Sequence, residues 1–164
     1  MSKARRAARG RKPASEERSA RKAQRRRGFL VRRYGDVGEV AFLHKAMRLG
    51  YMVAQPYGNI YPFDFVVQGG KKLWRVQVKS VAYMKNGSYY LTVRRSVGRK
   101  LAAYSKAEVD FIAVYIIPED IWYILPVSEI KGRQFLLFRP QGPDGFARRR
   151  EGWRRFGKPW SPAV

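Results

Sequence analysis

Two apolar segments flank a pair of glycines near the middle of the chain, and this arrangement constrains the fold more than any other feature. Gly69 and Gly70 separate two β-rich runs within residues 60–80, and such a pair is typical of a β-hairpin turn. The second run alternates, with apolar and polar members pointing to opposite faces of a strand. The apolar face carries Trp74, Val76 and Val78, and the polar face carries Arg75, Gln77 and Lys79.

The turn decides which side chains of the two strands lie opposite each other. A two-residue turn at the glycines pairs Asp64 with Arg75, whereas a four-residue loop pairs Asp64 with Gln77. In both registers Asp64, Gln77 and Lys79 share one face, because pairing by even steps preserves the side; a three-residue loop with a bulge would separate them. A carboxylate, an amide and an ammonium on one face are either ordinary solvent-facing residues or a functional site.

The segments around the hairpin predict an α/β domain. Asp36 is a good helix N-cap, Glu39 follows it as in a capping box, and Gly50 ends the helix. Residues 108–117 form a β-branched run that predicts a buried central strand, with Asp110 near its start. Asp110 either makes strand-end hydrogen bonds or supports a site. We expect a mixed central sheet of about five strands, flanked by helices.

Composition restricts the partners. The chain of 164 residues has 35 Lys and Arg against 12 Asp and Glu, a formal net charge of +23. This balance favours polyanions, although it does not separate DNA from RNA or from an anionic membrane surface. The sequence has no Cys, which excludes disulfides and thiolate zinc sites. Its apolar runs are too short to span a bilayer, and no apolar segment follows the basic N-terminus, so we expect a cytoplasmic protein.

Three segments are predicted along the chain. Residues 1–33 hold 14 Lys and Arg against two acids and predict a disordered basic arm, which is either a solvated tail or a non-specific arm for nucleic acid. Residues 34–139 form the domain. Residues 140–164 read as a linker and a basic C-terminal helix or tail, in which Phe146, Trp153 and Phe156 would share one helical face.

The polar residues of the hairpin also carry a resemblance. Pro62 and Asp64 lie ahead of Gln77, Val78 and Lys79, and the acid is thirteen positions before the amide. This pattern resembles the signature of the PD-(D/E)XK nuclease superfamily, in which an acid on one strand precedes an acid-x-Lys motif on the next. Gln in place of the second acid is similar to the homing endonucleases encoded in bacterial group I introns.

The resemblance implies roles for individual residues. Asp64, the backbone carbonyl of Val78 and Glu39 would hold Mg²⁺, with Mn²⁺ as a substitute, and no other small-molecule cofactor is implied. Lys79 would position or deprotonate the attacking water or stabilise the transition state, and Gln77 would weaken metal affinity by replacing a charged ligand. Glu39 has the alternative role of a helix cap. Basic residues near the site are candidates for DNA binding: Arg75, Arg94, Arg95, Arg99 and Lys100.

The resemblance implies a metal-dependent, homing-like endonuclease for duplex DNA, associated with the nucleoid. Cutting two strands requires two sites, so a homodimer or homotetramer is expected. Three alternatives stay open: a nuclease for Holliday junctions, a catalytically inert DNA-binding module on the same fold, and a basic RNA-binding protein.

Overall fold

The structure is a computed structural model that describes residues 14–58, 60–98 and 100–164. One long helix, α1 (Ala14–Arg48), precedes ten described strands. The strands are β1 (Met52–Ala54), β2 (Phe65–Gly69), β3 (Lys72–Val81), β4 (Met84–Lys85), β5 (Ser88–Thr92), β6 (Arg94–Val97), β7 (Lys100–Ala103), β8 (Phe111–Ile116), β9 (Ile121–Pro126) and β10 (Phe135–Phe138). Short 3-10 turns occupy Ile117–Glu119, Val127–Ile130, Ala147–Arg149 and Trp153–Phe156.

The central sheet has five strands in the order β1-β2-β3-β8-β9. β3 and β8 run parallel, and the other neighbouring pairs are antiparallel. This confirms the predicted mixed α/β architecture. β5 pairs with β4 and β10 in a smaller sheet, and β6 and β7 form a separate hairpin.

The core lies on both faces of the sheet, and β8 is buried between the two halves of the core. All six residues of β8 are buried, as expected for a strand covered on both sides. Ile112 and Val114 face a cluster that includes β5 and β10. Phe111 and Ala113 face the other cluster, which includes Phe42 of α1.

Helix α1 begins earlier than predicted. The predicted start at Asp36 is wrong, because the helix is continuous from Ala14. Residues 14–33 were predicted to be disordered, but this segment is helical. It is rich in good helix formers and contains no proline. The described residues form two compact units that divide at Arg33, and the second is Tyr34–Val164. Within the second unit the helix buries Phe42 and Ala46, whereas Val40 is exposed. Its C-terminal end confirms the prediction for Gly50, which has φ +81°.

The hairpin register is the one that pairs Asp64 with Gln77. Phe65 lies opposite Val76 and Gly69 opposite Lys72, so the turn consists of Gly70 and Lys71. Gly69 is therefore a strand residue. A Cβ on Gly69 would lie 1.7 Å from the carbonyl oxygen of Phe156, so glycine is required there by close approach of the C-terminal segment.

The C-terminal segment packs on the domain without forming the predicted helix. It makes two 3-10 turns, and Trp153 and Phe156 are buried against Phe42. Tyr51 donates hydrogen bonds to the carbonyls of Trp153 and Gly157. Trp153 and Phe156 are therefore buried by irregular backbone rather than by the predicted helix. No helix in the described part of the chain has the length and apolar character needed to cross a membrane.

Candidate active site

The candidate site lies where β2 ends its pairing with β3. The last backbone hydrogen bond between them runs from the N–H of Asp64 to the carbonyl of Val76, at 2.9 Å. Beyond it, the N–H and carbonyl of Val78 point to the same side of β3 and have no strand partner there. Side chains replace the missing strand: Val78 N–H donates to Asp64 Oδ2 at 2.7 Å, and Gln77 Nε2 donates to the Val78 carbonyl at 3.0 Å.

Gln77 connects the two halves of this arrangement. Its Nε2 also donates to Asp64 Oδ2, so the amide nitrogen lies between a carboxylate and a carbonyl. Both partners accept hydrogen bonds only, which determines the orientation of the amide. The structure thus brings Asp64 and Gln77 together, as the shared face of the hairpin predicted.

Helix α1 brings Glu39 to the same place. A Cβ on Gly38 would lie 2.6 Å from Ser80 Oγ, so glycine allows the helix to approach β3 closely. Ser80 Oγ donates to the Tyr34 carbonyl at 2.6 Å and ties the helix to the strand one turn before Glu39. Because α1 continues through Asp36, Glu39 does not belong to a capping box at the start of a helix. Its position beside the site is therefore not explained by helix capping.

Burial and neighbouring groups shift the pKa of both carboxylates. Burial, followed by the charges of Asp64 and Asp36, raises the pKa of Glu39 to about 7, against an opposing effect of Lys79. Burial also raises the pKa of Asp64, while the Val78 N–H and Lys79 oppose that shift. Among the described residues, Lys79 makes no direct ion pair with either acid. The site therefore concentrates negative charge that one ammonium group only partly balances.

This charge predicts a pH-dependent stability effect. Glu39 has a pKa of about 7 in the folded protein against an ordinary value of 4.5, so between these values the unfolded chain loses the proton and the folded chain keeps it. Stability then falls as the pH rises through this window. In EDTA, Glu39→Gln should raise the melting temperature at pH 8 and have little effect near pH 5.

Differential scanning calorimetry at both pH values measures this effect. Glu16→Gln, on the exposed part of α1, is the matched control and should change neither melting temperature. An equal gain from Glu39→Gln at both pH values would show that the charge of Glu39 is not the cause.

Lys79 has an aromatic neighbour that the sequence left without a role. Its Nζ lies 5.5 Å from the centroid of the Tyr104 ring, and Tyr104 is 7% exposed. This distance is within the range of a cation–π contact. Tyr104 precedes β8 in an irregular segment, so no strand or helix periodicity connects it to Lys79.

The oxygen donors of the site suit a divalent cation. Among the described residues, no group of three or more His, Cys, Asp or Glu is placed to hold a metal. Two carboxylates with raised proton affinity and a backbone carbonyl are nevertheless the oxygen donors that Mg²⁺ prefers, with water completing the shell. Asp64 Oδ1 makes no hydrogen bond to the residues described, whereas the Val78 carbonyl already accepts one from Gln77. The residues fit such an ion, with Gln77 competing for one donor.

A cleft of about 180 Å³ adjoins the carboxylates. Its walls include Glu39 and Asp64 together with Gln55, Tyr61 and Phe63. Gln55 and Tyr61 were missed from the sequence, since they lie in a loop where no periodicity reports orientation. A larger cavity of about 570 Å³ lies against the C-terminal segment and has no carboxylate in its lining, so its chemistry does not favour catalysis.

Asp110 has the first of its two predicted roles. Its carboxylate accepts hydrogen bonds from the backbone N–H of Arg75 at 2.9 Å and from Arg75 Nε at 3.0 Å. These bonds join the starts of β8 and the paired part of β3. Arg75 also donates to the carbonyls of Lys106 and Ala107, so most of its hydrogen-bonding capacity is used within the protein.

The other basic candidates lie on the β6–β7 hairpin. Arg95 pairs with Glu108, and Arg94 Nη1 donates to the Leu101 carbonyl at 3.5 Å. Both arginines keep a buried Nε without a hydrogen-bond partner among the residues described. Lys100 is exposed, and Arg99 lies outside the described residues.

Comparisons with known proteins found one matching family model and a similar solved structure. A family model described as PD-(D/E)XK endonuclease matches residues 31–143, a span that contains Glu39, Asp64, Gln77 and Lys79. The solved structure of the bacterial homing endonuclease I-Ssp6803I is similar, with 25% sequence identity and a TM-score of 0.66 over 76% of this chain and 90% of that chain. No curated protein matches the sequence. Because the family model covers more than half of the chain and includes all four site residues, the chain belongs to the PD-(D/E)XK endonuclease family.

Proposed function

We propose that the protein is a metal-dependent endonuclease that hydrolyses phosphodiester bonds in duplex DNA. The observation that carries the proposal is the convergence of Asp64, Gln77, Lys79 and Glu39 where β2 and β3 separate. Family membership supports nuclease chemistry, and the name of the similar solved structure supports a homing-like activity. The net charge of +23 suits a polyanionic substrate.

We assign a separate chemical role to each of the site residues. Asp64, Glu39 and the Val78 carbonyl would hold Mg²⁺ or Mn²⁺, which when bound lowers the pKa of water and neutralises charge on the phosphate. Lys79 would donate hydrogen bonds to the attacking water or to a phosphate oxygen. Its ammonium stabilises the negative charge that develops during hydrolysis.

Gln77 has a positioning role in this proposal. Its amide holds Asp64 Oδ2 and the Val78 carbonyl in fixed places. An acid at this position would repel Asp64 and Glu39 in the metal-free protein, which the neutral amide avoids. The same neutrality lowers the charge available for metal, so we expect weaker metal binding than in relatives with an acid there.

Basic residues around the site would hold the DNA backbone. The β6–β7 hairpin presents Arg94, Arg95 and Lys100, and Arg99 stays a candidate from the sequence. Arg94 and Arg95 would contribute through the charge of their guanidinium groups, since their Nε atoms are buried. Arg75 would contribute mainly by its charge, since its hydrogen bonds are largely made within the protein.

Two strands require two cuts, so we propose a homodimer or homotetramer. Sedimentation velocity with and without DNA measures this directly. Association with the nucleoid follows from the same affinity for DNA.

The proposal is tested with supercoiled plasmid and with synthetic four-way junctions, each in Mg²⁺, Mn²⁺ and EDTA. Nicking or linearisation of plasmid that requires a divalent ion supports the proposal. Preference for the junction would assign a resolvase-like activity instead. A plasmid library with random inserts covers the case of a long target site.

A second candidate function, an inert DNA-binding module, is favoured by the hydrogen bonds of Gln77. They satisfy Asp64 Oδ2 and the Val78 carbonyl without any ion. Binding of every DNA substrate without cleavage in either metal, together with no heat of Mn²⁺ binding in calorimetry, would support this alternative.

The contact between Lys79 and Tyr104 predicts a graded effect on activity. A cation–π contact contributes about 0.5 to 2 kcal/mol, so Tyr104→Leu should lower kcat by roughly 2- to 30-fold. Tyr104→Phe keeps the ring and should cleave nearly as the parent does. Cleavage rates at saturating and at limiting DNA give kcat and KM separately. A positioning role lowers kcat and leaves KM unchanged. Equal losses in both variants would argue against the ring contact.

A further inference from the structure

The first part of helix α1, residues 14–33, has no role in the site. Between Ser15 and Arg33, each side chain that the structure describes is exposed, except for the partly exposed Leu30. Two acids, Glu16 and Glu17, oppose eight basic residues, which gives this segment a net charge of +6. The basic residues are Arg18, Arg21, Lys22, Arg25, Arg26, Arg27, Arg32 and Arg33.

The charges of this segment repel one another along the helix. Arg18 and Lys22, Arg21 and Arg25, and Lys22 and Arg26 are each four residues apart. Like charges at this spacing destabilise a helix by a few tenths of a kcal/mol per pair. An exposed helix with little apolar packing and repelling charges gains stability when a polyanion neutralises it.

We propose that this segment, called here the basic helix, is a second nucleic-acid-binding element that docks in the major groove of duplex DNA. At about 1.5 Å per residue, twenty residues extend about 30 Å, close to one turn of B-DNA. A helix about 10–12 Å wide fits a major groove about 12 Å wide. The deep, narrow major groove of A-form RNA does not admit it. This binding is independent of the active site and of cleavage.

Fluorescence anisotropy tests the proposal with the full chain in EDTA, on matched 24-base-pair DNA and RNA duplexes. The charge variant replaces Arg18, Arg21, Lys22, Arg25 and Arg26 by Gln, which has similar helix propensity. The control variant removes five exposed charges elsewhere by the same change to Gln, at Arg48, Lys71, Lys85, Arg148 and Lys158. A third variant, Ala23→Pro, keeps every charge and breaks the helix.

The salt dependence of binding gives the readout. Each lost phosphate contact reduces the slope of log K against log salt by about 0.9, so the charge variant should lose about 3 to 4.5 in slope on DNA. The control variant should lose less than half of that. Ala23→Pro should weaken DNA binding at least about 10-fold, and RNA duplex should bind the parent less tightly than DNA.

Three results would each overturn the proposal. An equal loss of slope in the charge and control variants would show that the salt dependence of DNA binding reflects net charge alone. Parent-like binding by Ala23→Pro would show that the helix is not the binding form. Equal or tighter binding of the RNA duplex would exclude the major groove of B-DNA as its preferred site.

Discussion

Lys79→Met should lower metal-dependent DNA cleavage by about 10²- to 10⁴-fold, the range that a single positioned acid–base group contributes. Among the described basic residues, Lys79 alone influences the pKa of both Glu39 and Asp64. Methionine keeps the length and the apolar stem of the side chain, so the variant removes the ammonium group with little change in packing. Cleavage of plasmid under single-turnover conditions measures the loss.

Binding separates a chemical defect from a folding defect. In EDTA, Lys79→Met should bind DNA within a few-fold of the parent, because one charge among 35 basic residues contributes little to total affinity. Lys85→Met, on exposed β4, is the matched control and should cleave as the parent does. Parent-like cleavage by Lys79→Met would show that the catalytic assignment is wrong.

Asp64→Asn is the companion variant. The amide oxygen can still accept the hydrogen bond from the Val78 N–H, but the charge that favours a cation is lost. We expect cleavage to fall at least as far as in Lys79→Met and the midpoint for Mn²⁺ to rise. Retained cleavage with an unchanged Mn²⁺ midpoint would remove Asp64 from the site.

Gly69→Ala should destabilise the domain by about 3 kcal/mol or more, the upper part of the range for overpacking. The added Cβ would lie 1.7 Å from the Phe156 oxygen and 2.4 Å from its carbonyl carbon. These are backbone atoms, so relief requires the C-terminal segment to move and to expose Phe156 and Trp153, which are buried. Thermal denaturation should show a melting temperature lower by roughly 10 °C.

The neighbouring glycine provides the control. Gly70 has φ +61° and open space around its Cβ position, so Gly70→Asn should cost less than about 1 kcal/mol, since Asn tolerates the left-handed region. If Gly69 served only the turn, as its sequence context predicts, Gly69→Ala would be the milder change. Parent-like melting of Gly69→Ala would therefore contradict the packing of the C-terminal segment.

Local pattern was enough to predict the shared face of Asp64, Gln77 and Lys79. Strand alternation has a period of two, so faces survive uncertainty in the turn. The buried strand β8 and the five-stranded sheet followed from long β-branched runs. Asp110 was correctly given a strand-end role as one of two options.

Predictions of helix boundaries and helix faces were less reliable, because they depend on how the adjoining segment folds. Asp36 has the features of an N-cap, but the preceding residues are helical and no cap is needed. Phe146, Trp153 and Phe156 were predicted on a helix, whereas 3-10 turns place the last two in the core. In α1, Phe42 and Ala46 meet the sheet, whereas Val40 is exposed.

The sequence by itself determined which residues share the polar face of the hairpin, because side-chain alternation is a property of one strand. Only the tertiary structure decided the register, since the C-terminal segment requires Gly69 to stay in the strand. It also decided that Glu39 and Tyr104 meet Asp64 and Lys79. Such contacts join segments 25 residues apart in each case, and burial and close packing, rather than local periodicity, bring them together.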